Sequence, residues 1–437
     1  MGHVTGKGIY RNLGDKVDNL PLRTPWNDAF YQILKELYTP DEAQLICNMP
    51  YGMSNLDRIA RLSKLDKTAA RNLLDGLCDK GLVIDAWIHD EYYYMPSPMV
   101  IGIFEFTMMR TAGNLNSKKW AELFLTYMRG DKSFIDANFG AGQKVGPMRT
   151  LPHEEAIEDA AHMEILDYEK ASEIVEQSDR FSMAYCPCRH EKYHLGLKTC
   201  DTPLDNCSSF GIGADYLIRH KLAREVTKTE MLENVARSKE LGLVLNADNV
   251  RKNLTYMCHC CKCCCNALHG ISKLGYPNSI VTSNFISEVD EDLCAGCGKC
   301  AKACPIDIIE MVPIVNPASK KKAKPVVDKS ICLGCGVCAL NCNKKAMKLV
   351  KREKRMIHPE TTFERIILQC LERGTLQNQL FDDPRNITHK FMRGLIGGFL
   401  RLPAVKKGLM SDGLRSRFLE AMKKGAAMQG KGWALDI

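Results

Sequence analysis

The chain has 437 residues, enough for two or three domains of about 150 residues each. Apolar residues make up 45% and charged residues 26%, a balance that excludes disorder and allows large cores without disulfide staples. The net charge of +8 permits acidic partners without requiring nucleic acid, and the absence of any run of about 18 uncharged apolar residues excludes a conventional transmembrane helix. The start, Met1-Gly2-His3-Val4-Thr5-Gly6-Lys7, has neither an apolar segment nor a twin arginine, so no export signal is expected and a cytoplasmic protein is predicted.

Residues 1–24 are polar and glycine-bearing and read as an arm over the surface. Ala29, Ile33, Leu34 and Leu37 recur at helical spacing, and Leu56, Ile59, Ala60 and Leu62 mark a second helix. Asp66 is placed to cap a third, carrying Ala70, Leu73, Leu74 and Leu77 and stopped by Gly81. Leu82-Val83-Ile84 and Tyr92-Tyr93-Tyr94 then flank a polar turn and predict a hairpin, so the segment is winged-helix-like. A further helical stretch holds Trp120, Leu123, Phe124 and Tyr127, and glycines and prolines over 136–152 suggest a linker. Helix is predicted from there to about 178, and again over 228–241, where Thr227 and Glu230 form a capping box and Gly242 ends the element. The expected fold class is thus α+β and multidomain. It comprises a winged-helix-like and helical domain over 25–131, a mainly helical Cys-rich domain over 150–285, a compact module over 286–350 and a helical basic tail over 360–437.

Of 21 cysteines, 18 lie within 186–342; only Cys47, Cys78 and Cys370 fall outside. Disulfide frameworks belong to small secreted domains, so thiols crowded in a long chain without an export signal point to metal. Cys294-Ala-Gly-Cys297-Gly-Lys-Cys300-Ala-Lys-Ala-Cys304-Pro305 is a C-x2-C-x2-C-x3-C-P run, and Cys332-Leu-Gly-Cys335-Gly-Val-Cys338-Ala-Leu-Asn-Cys342 repeats it 38 residues later. A cubane needs four thiolates at its corners, three from one tight glycine-bearing loop and one from elsewhere. The double run resembles the bacterial 2[4Fe-4S] ferredoxin domain, in which the fourth Cys of each run ligates the other cluster. This implies a small pseudo-symmetric fold, one-electron transfer and two [4Fe-4S] clusters, one held by Cys294, Cys297, Cys300 and Cys342 and the other by Cys332, Cys335, Cys338 and Cys304. Two departures are Asn343 in place of the second proline, and an insertion carrying Lys320, Lys321, Lys322 and Lys324 that offers a docking site for an acidic partner.

Ten more cysteines lie upstream: Cys186, Cys188, Cys200 and Cys207, then Cys258, Cys260, Cys261, Cys263, Cys264 and Cys265. Free thiolates so close would repel and oxidise, whereas metal neutralises them. Soft thiolates select iron–sulfur, zinc or copper(I), and the neighbouring module favours an additional iron–sulfur centre over zinc. Cys186, Cys188, Cys200 and Cys207 offer one set of four. His190, His194, His259 and His269 are possible ligands, with hydrogen-bonded structural roles the stronger expectation. Together, Ala184-Tyr185-Cys186-Pro187-Cys188-Arg189, the Cys200–Cys207 segment, Phe210-Gly211, the 258–265 run and the double run resemble a family of uncharacterised 4Fe-4S dicluster proteins of anaerobic bacteria. The resemblance implies cluster binding and an anaerobic setting, and supplies no substrate.

The third helix carries three basic and three acidic residues (Lys67, Arg71, Lys80; Asp66, Asp75, Asp79), and the hairpin carries Asp85, Asp90 and Glu91. Phosphate neutralisation dominates DNA affinity, so this surface predicts protein docking rather than nucleic-acid binding. Residues 384–411 lack Asp and Glu and interleave Arg385, Lys390, Arg393, Arg401, Lys406 and Lys407 with Phe391, Leu395, Ile396, Phe399 and Leu400. They suggest either a membrane-surface helix or a helix packed on its own domain with a basic outer face, interrupted at Gly397-Gly398 and Pro403. No phosphate-loop, dinucleotide, GxSxG or HExxH signature occurs. The function expected is an iron–sulfur electron-transfer protein acting with, or as a subunit of, an oxidoreductase. The alternatives are a redox-sensing transcriptional regulator and an oxidoreductase whose active site is the central cysteine cluster.

Overall fold

The computed structural model describes residues 2–113, 115–158, 165–315 and 321–435, with side chains from residue 8 onward. The first segment is no surface arm: Gly2–Asp18 is a helix, and Leu13, Val17 and Leu20 are fully buried. Tyr10, Leu13, Val17 and Leu20 recur at helical spacing, so one face is apolar despite the polar average. Gly14 allows the contact that seats it, because a Cβ there would lie 2.5 Å from the Trp26 ring.

The helices Asp28–Leu37, Pro40–Asn48, Leu56–Ser63 and Lys67–Asp79 follow, and side chains of Asn27, Thr39, Asn55 and Asp66 cap them. A three-stranded sheet of order β1-β3-β2 (Ser54–Asn55, Glu91–Pro96 and Val83–Ile88) completes this part. The turn of the predicted hairpin is His89-Asp90, both residues with positive φ, as a two-residue turn between twisted strands requires. The helix Ser117–Arg129 buries Trp120, Phe124 and Tyr127 in the same core.

The central region departs from the mainly helical expectation. It is built on a six-stranded antiparallel sheet of order β4-β8-β9-β6-β5-β7. The strands are β4 (Met148–Leu151), β5 (Phe181–Ala184), β6 (Cys207–Phe210), β7 (Arg224–Glu225), β8 (Val244–Asp248) and β9 (Tyr256–Cys260). Strands β4, β5, β6 and β8 are buried at every position, so they lack the apolar–polar alternation by which a half-exposed strand is read. Strand β4 lies inside the expected linker. The stretch expected as helix to about 178 holds short turns at Glu154–Ala156 and Asp167–Glu169 and one helix, Ala171–Glu176; its residues 159–164 lie outside the described residues. The predicted capping box at Thr227 and Glu230 is present and opens the helix Lys228–Glu240.

Residues 285–351 form two similar halves. Strand β10 (Phe285–Val289) pairs with β13 (Met347–Lys351), β11 (Ile309–Pro313) pairs with β12 (Ala323–Val327), and each cysteine run ends in a short helix, Lys299–Ala303 or Val337–Leu340. The tail is helical: Thr362–Arg373, Leu376–Leu380, Ile387–Leu400, Pro403–Leu409 and Asp412–Met428. Gly397-Gly398 does not break its helix. A Cβ on Gly397 would lie 3.0 Å from Gln377, so this glycine admits close helix packing, and Pro403 starts the next helix.

Candidate metal centres

The two loops of the double run owe their tightness to glycine. Gly296, Gly298, Gly334 and Gly336 all have positive φ, and a Cβ on Gly334 would stand 2.1 Å from the Phe285 carbonyl oxygen. The Gly296 amide donates to the Cys294 sulfur at 3.4 Å. Cys294, Cys297 and Cys300 line one cavity of about 210 Å³ together with Cys342 from the other run. Cys304 in turn faces Cys332, and Cys335 and Cys338 both face Cys332 and Cys304. The two groups differ in exposure: Cys297 is exposed and Cys294 and Cys342 partly so, whereas Cys304, Cys332, Cys335 and Cys338 are all buried. Of the inserted lysines, Lys321 donates to the Glu291 carbonyl and Lys324 pairs with the Glu291 carboxylate at 2.9 Å; Lys320 lies outside the described residues.

The ten central cysteines divide four and six. The sulfurs of Cys200, Cys261, Cys263 and Cys264 all lie within 4.8 Å of one another, with separations of 3.7 Å (Cys200–Cys261), 3.8 Å (Cys261–Cys263) and 3.4 Å (Cys263–Cys264). The other six form a second set. Thiol contacts run from Cys207 to Cys258, Cys260, Cys265 and Cys188, and Cys186 faces Cys188, Cys207 and Cys260. All six line a cavity of about 140 Å³, whose wall also reaches Cys261 and Cys264 of the first set. The grouping of Cys186, Cys188, Cys200 and Cys207 is therefore not the one the fold makes, because Cys200 sits with the other set.

The sheet causes this division. Cys258 and Cys260 are two apart on β9 and share a face, beside Cys207 at the start of β6 and Cys186 just past the end of β5. Cys186 and Cys265 are the N-cap residues of the helices Pro187–His194 and Asn266–Ser272. Cys261, Cys263 and Cys264 belong to the turn between β9 and the second of these helices, and they meet Cys200 on the other side.

Between the sets lies Arg189, fully buried. It donates to the carbonyls of Pro203 (2.9 Å) and His259 (3.0 Å) and to Asn206 Oδ1. Among the described residues no carboxylate pairs with it; its charge faces Cys186, Cys261 and Cys200, which hold its pKa up against burial. An uncompensated buried cation is costly, so the fold calls for anionic sulfur here. The Cys264 thiol, and then Arg189, hold Cys261 below the ordinary thiol value, and contacts from Cys258 and Cys265 do the same for Cys260. Sequence reading missed Arg189 as a functional residue, although it directly follows Cys188.

The four histidines have structural partners. His190 hydrogen-bonds with the Met108 carbonyl (2.6 Å) and His194 (2.8 Å), His259 with Ser208 (2.8 Å) and Ser238 (2.7 Å), and His269 with the Lys262 carbonyl (2.9 Å). Burial pushes His259 down to about 3 and His269 to about 4, so both are neutral. A further cluster, Cys78, Asp85 and His220, is an ion-pair network: both Asp85 oxygens accept from Arg219, at 3.0 and 2.8 Å.

The buried half of the double run is continuous with the central site. Cys304, Cys335 and Cys338 share one apolar core with Cys260 and Cys265, and the His153 amide donates to the Cys335 carbonyl at 3.0 Å while its ring hydrogen-bonds with the Leu243 carbonyl at 2.8 Å. Leu243 packs on Cys261 and Cys264. No described helix is long and apolar enough to cross a membrane. Comparison with curated proteins and with solved structures returns no match. A family model described as a 4Fe-4S dicluster domain matches residues 293–346, so the chain carries a 4Fe-4S ferredoxin-type domain.

Proposed function

We propose that this chain is a one-electron relay of an oxidoreductase system in an anaerobic, cytoplasmic setting, with an entry point at the first cysteine run and its destination at the central thiols. The observation that carries this reading is the gradient of burial. Cys297 is open to a redox partner, the Cys304, Cys332, Cys335 and Cys338 group is enclosed, and three of that group, Cys304, Cys335 and Cys338, share one core with Cys260, Cys265 and the buried Cys300 of the first run. In this assignment Cys294, Cys297, Cys300 and Cys342 hold the outer cluster, and Cys304, Cys332, Cys335 and Cys338 the inner one. Each cluster supplies reversible one-electron chemistry; the chain encloses it, aims amides at its sulfurs and fixes the order of centres.

The central sets have different metrics, which supports different contents. Four thiolates about 2.3 Å from one tetrahedral ion stand about 3.8 Å apart; among Cys200, Cys261, Cys263 and Cys264 three separations are 3.4–3.8 Å and all lie within 4.8 Å. This set suits a single ion, with zinc favoured by the closed four-thiolate geometry. Among the described residues, neither the ferredoxin-type cysteines nor the six-thiol set forms a group of sulfurs mutually within 4.8 Å. That wider spacing suits a cluster whose thiolates bind different irons, and the six-thiol set is assigned an additional iron–sulfur centre.

The helix Lys67–Asp79 and its hairpin dock internally, which favours the relay over a regulator. Arg219 grips Asp85 of the hairpin, and His220 hydrogen-bonds with Asp79 at 2.7 Å. The membrane-surface contact expected of residues 384–411 is here assigned to their apolar rather than their basic groups. Ile387 (84% exposed), Phe391 (68%), Leu395 (60%) and Phe399 (56%) form an outward apolar stripe. Arg385, Arg393, Arg401 and Lys406 instead donate to carbonyls of the chain itself. Binding through this face depends on apolar burial more than on lipid charge. Flotation should therefore give similar binding to neutral and anionic vesicles, with loss in Phe391→Glu/Phe399→Glu; binding confined to anionic vesicles overturns this.

Anaerobic iron, sulfide and zinc analysis, with spin-resonance spectroscopy at stepped potentials, tests the whole reading. More than about eight irons per chain, with one additional tightly bound ion, is the expected result. Folded protein that contains no iron, or a Cys297→Ala variant that accepts electrons from a reduced ferredoxin as fast as the parent chain, refutes it.

A further inference from the structure

Beside the six-thiol cavity lies a second, larger one of about 350 Å³, within the range of sites that enclose small organic ligands. Its walls come from the segment around Tyr51, the hairpin, the helices that carry Phe106 and Tyr216, the central sheet and the C-terminal helices. Tyr51, Phe106, Tyr216, Phe363 and Trp433 supply aromatic surface, and most of the remaining wall is aliphatic. The charged groups in the wall are already matched: Arg365 with Asp248 (3.1 Å), Lys431 with Asp382 (2.7 Å) and Asp85 with Arg219 (2.8 Å). An uncharged occupant is therefore favoured.

Three buried polar atoms of one wall helix make no hydrogen bond: Gln369 Nε2, Thr362 Oγ1 and Arg365 Nε, the last of which has its charge matched by Asp248. Gln369 is 1% exposed; its Oε1 accepts from Arg365 at 3.2 Å, which fixes the amide orientation, and its Nε2 has no partner. About two turns earlier on the same helix, the buried Thr362 Oγ1 is also unpartnered. A buried N–H without an acceptor is costly, and a carbonyl oxygen on a ligand would satisfy it. The two cavities share wall residues, among them Val100, Ile101, Phe106 and Tyr256, and the backbone at Val100–Gly102 is non-helical.

We propose that this chamber binds a flat, uncharged aromatic ketone or quinone-type molecule, its carbonyl on Gln369 and its rings among the aromatic walls, alongside the six-thiol centre. The inference rests on the relay reading for what the neighbouring centre contains, and on the chamber alone for binding.

The test uses the anaerobically purified full chain with its metals in place and two rigid probes, 9-fluorenone and fluorene, which differ by the carbonyl oxygen. Calorimetric titration should show one saturable fluorenone site per chain, with fluorene about tenfold weaker because it leaves the amide unpaired. Gln369→Leu should bring the two probes within about threefold, through loss of fluorenone affinity. Ala426→Trp, which fills the chamber from the C-terminal helix, should abolish both. Metal content and melting temperature of each variant establish that it is folded. No saturable fluorenone binding to the intact chain, or undiminished discrimination in folded Gln369→Leu, overturns the proposal. Iron analysis separates the two readings: a chain with only the ferredoxin-type irons that still binds fluorenone keeps the chamber and loses the central relay.

Discussion

Replacing Arg189 by methionine removes a positive charge buried between the two central thiol sets while keeping most of the side-chain volume. Arg189 faces Cys186 of the six-thiol set and Cys261 of the four-thiol set. A unit charge about 5 Å away at an effective dielectric constant of about 20 contributes about 3 kcal/mol. For a one-electron couple, where about 59 mV equals a tenfold change in equilibrium constant, that corresponds to on the order of 140 mV. A cation stabilises the reduced, more negative form, so Arg189→Met should lower the potential of the proposed central iron–sulfur centre by roughly 100 mV. The ferredoxin-type clusters should stay where they are and serve as the internal reference. The carbonyls of Pro203 and His259 also lose their donor, which costs about 1–3 kcal/mol of stability each at most. The assay is a spin-resonance redox titration of anaerobically prepared parent and variant, with iron counted in both. A central shift of less than about 20 mV at full iron content, or a shift upward, refutes the electrostatic argument.

Gly334→Ala combines a left-handed backbone with a Cβ 2.1 Å from the Phe285 carbonyl oxygen, so thermal unfolding should show a loss of at least about 2 kcal/mol and release of the inner cluster first. Cys200→Ser should remove about one metal equivalent, read by elemental analysis, with the iron–sulfur signals retained. The Asp85–His220 contact predicts a pH window. Burial opposes charge on both groups, yet hydrogen bonds from His220 and Arg219 hold Asp85 below its ordinary 3.8, and Asp85 and Asp79 hold His220 above its ordinary 6.5. The His220 contribution is complete below 6.5 and fades as pH rises through its raised value. The Asp85 contribution is complete above 3.8 and fades as pH falls through its lowered value. The stability advantage of the parent over Asp85→Asn in urea titrations should therefore peak between these limits; a pH-independent difference contradicts the assignment.

Local chemistry was legible from the sequence wherever it depends on near neighbours. The two C-x2-C-x2-C-x3-C runs announced their module because three cysteines of each fall within one short loop, and the caps at Asp66 and Thr227 lie within three residues of the amides they serve. The apolar face of Gly2–Asp18 was written in Tyr10, Leu13, Val17 and Leu20, but glycine and charge hid it from an average over the segment. The central sheet was not legible. Its strands are short and four of the six are buried at every position, so no alternation marks them, and their pairing partners lie tens of residues away. What only the tertiary structure decided was the sorting of the central thiols. Six cysteines in eight residues have no assigned partners until β9 and the following turn bring Cys261, Cys263 and Cys264 onto Cys200 and leave Cys258, Cys260 and Cys265 in contact with one another and with Cys207 and Cys188. Sequence fixes how many thiols are near one another along the chain; only pairing between distant strands fixes which of them converge on the same point, and with which buried charge.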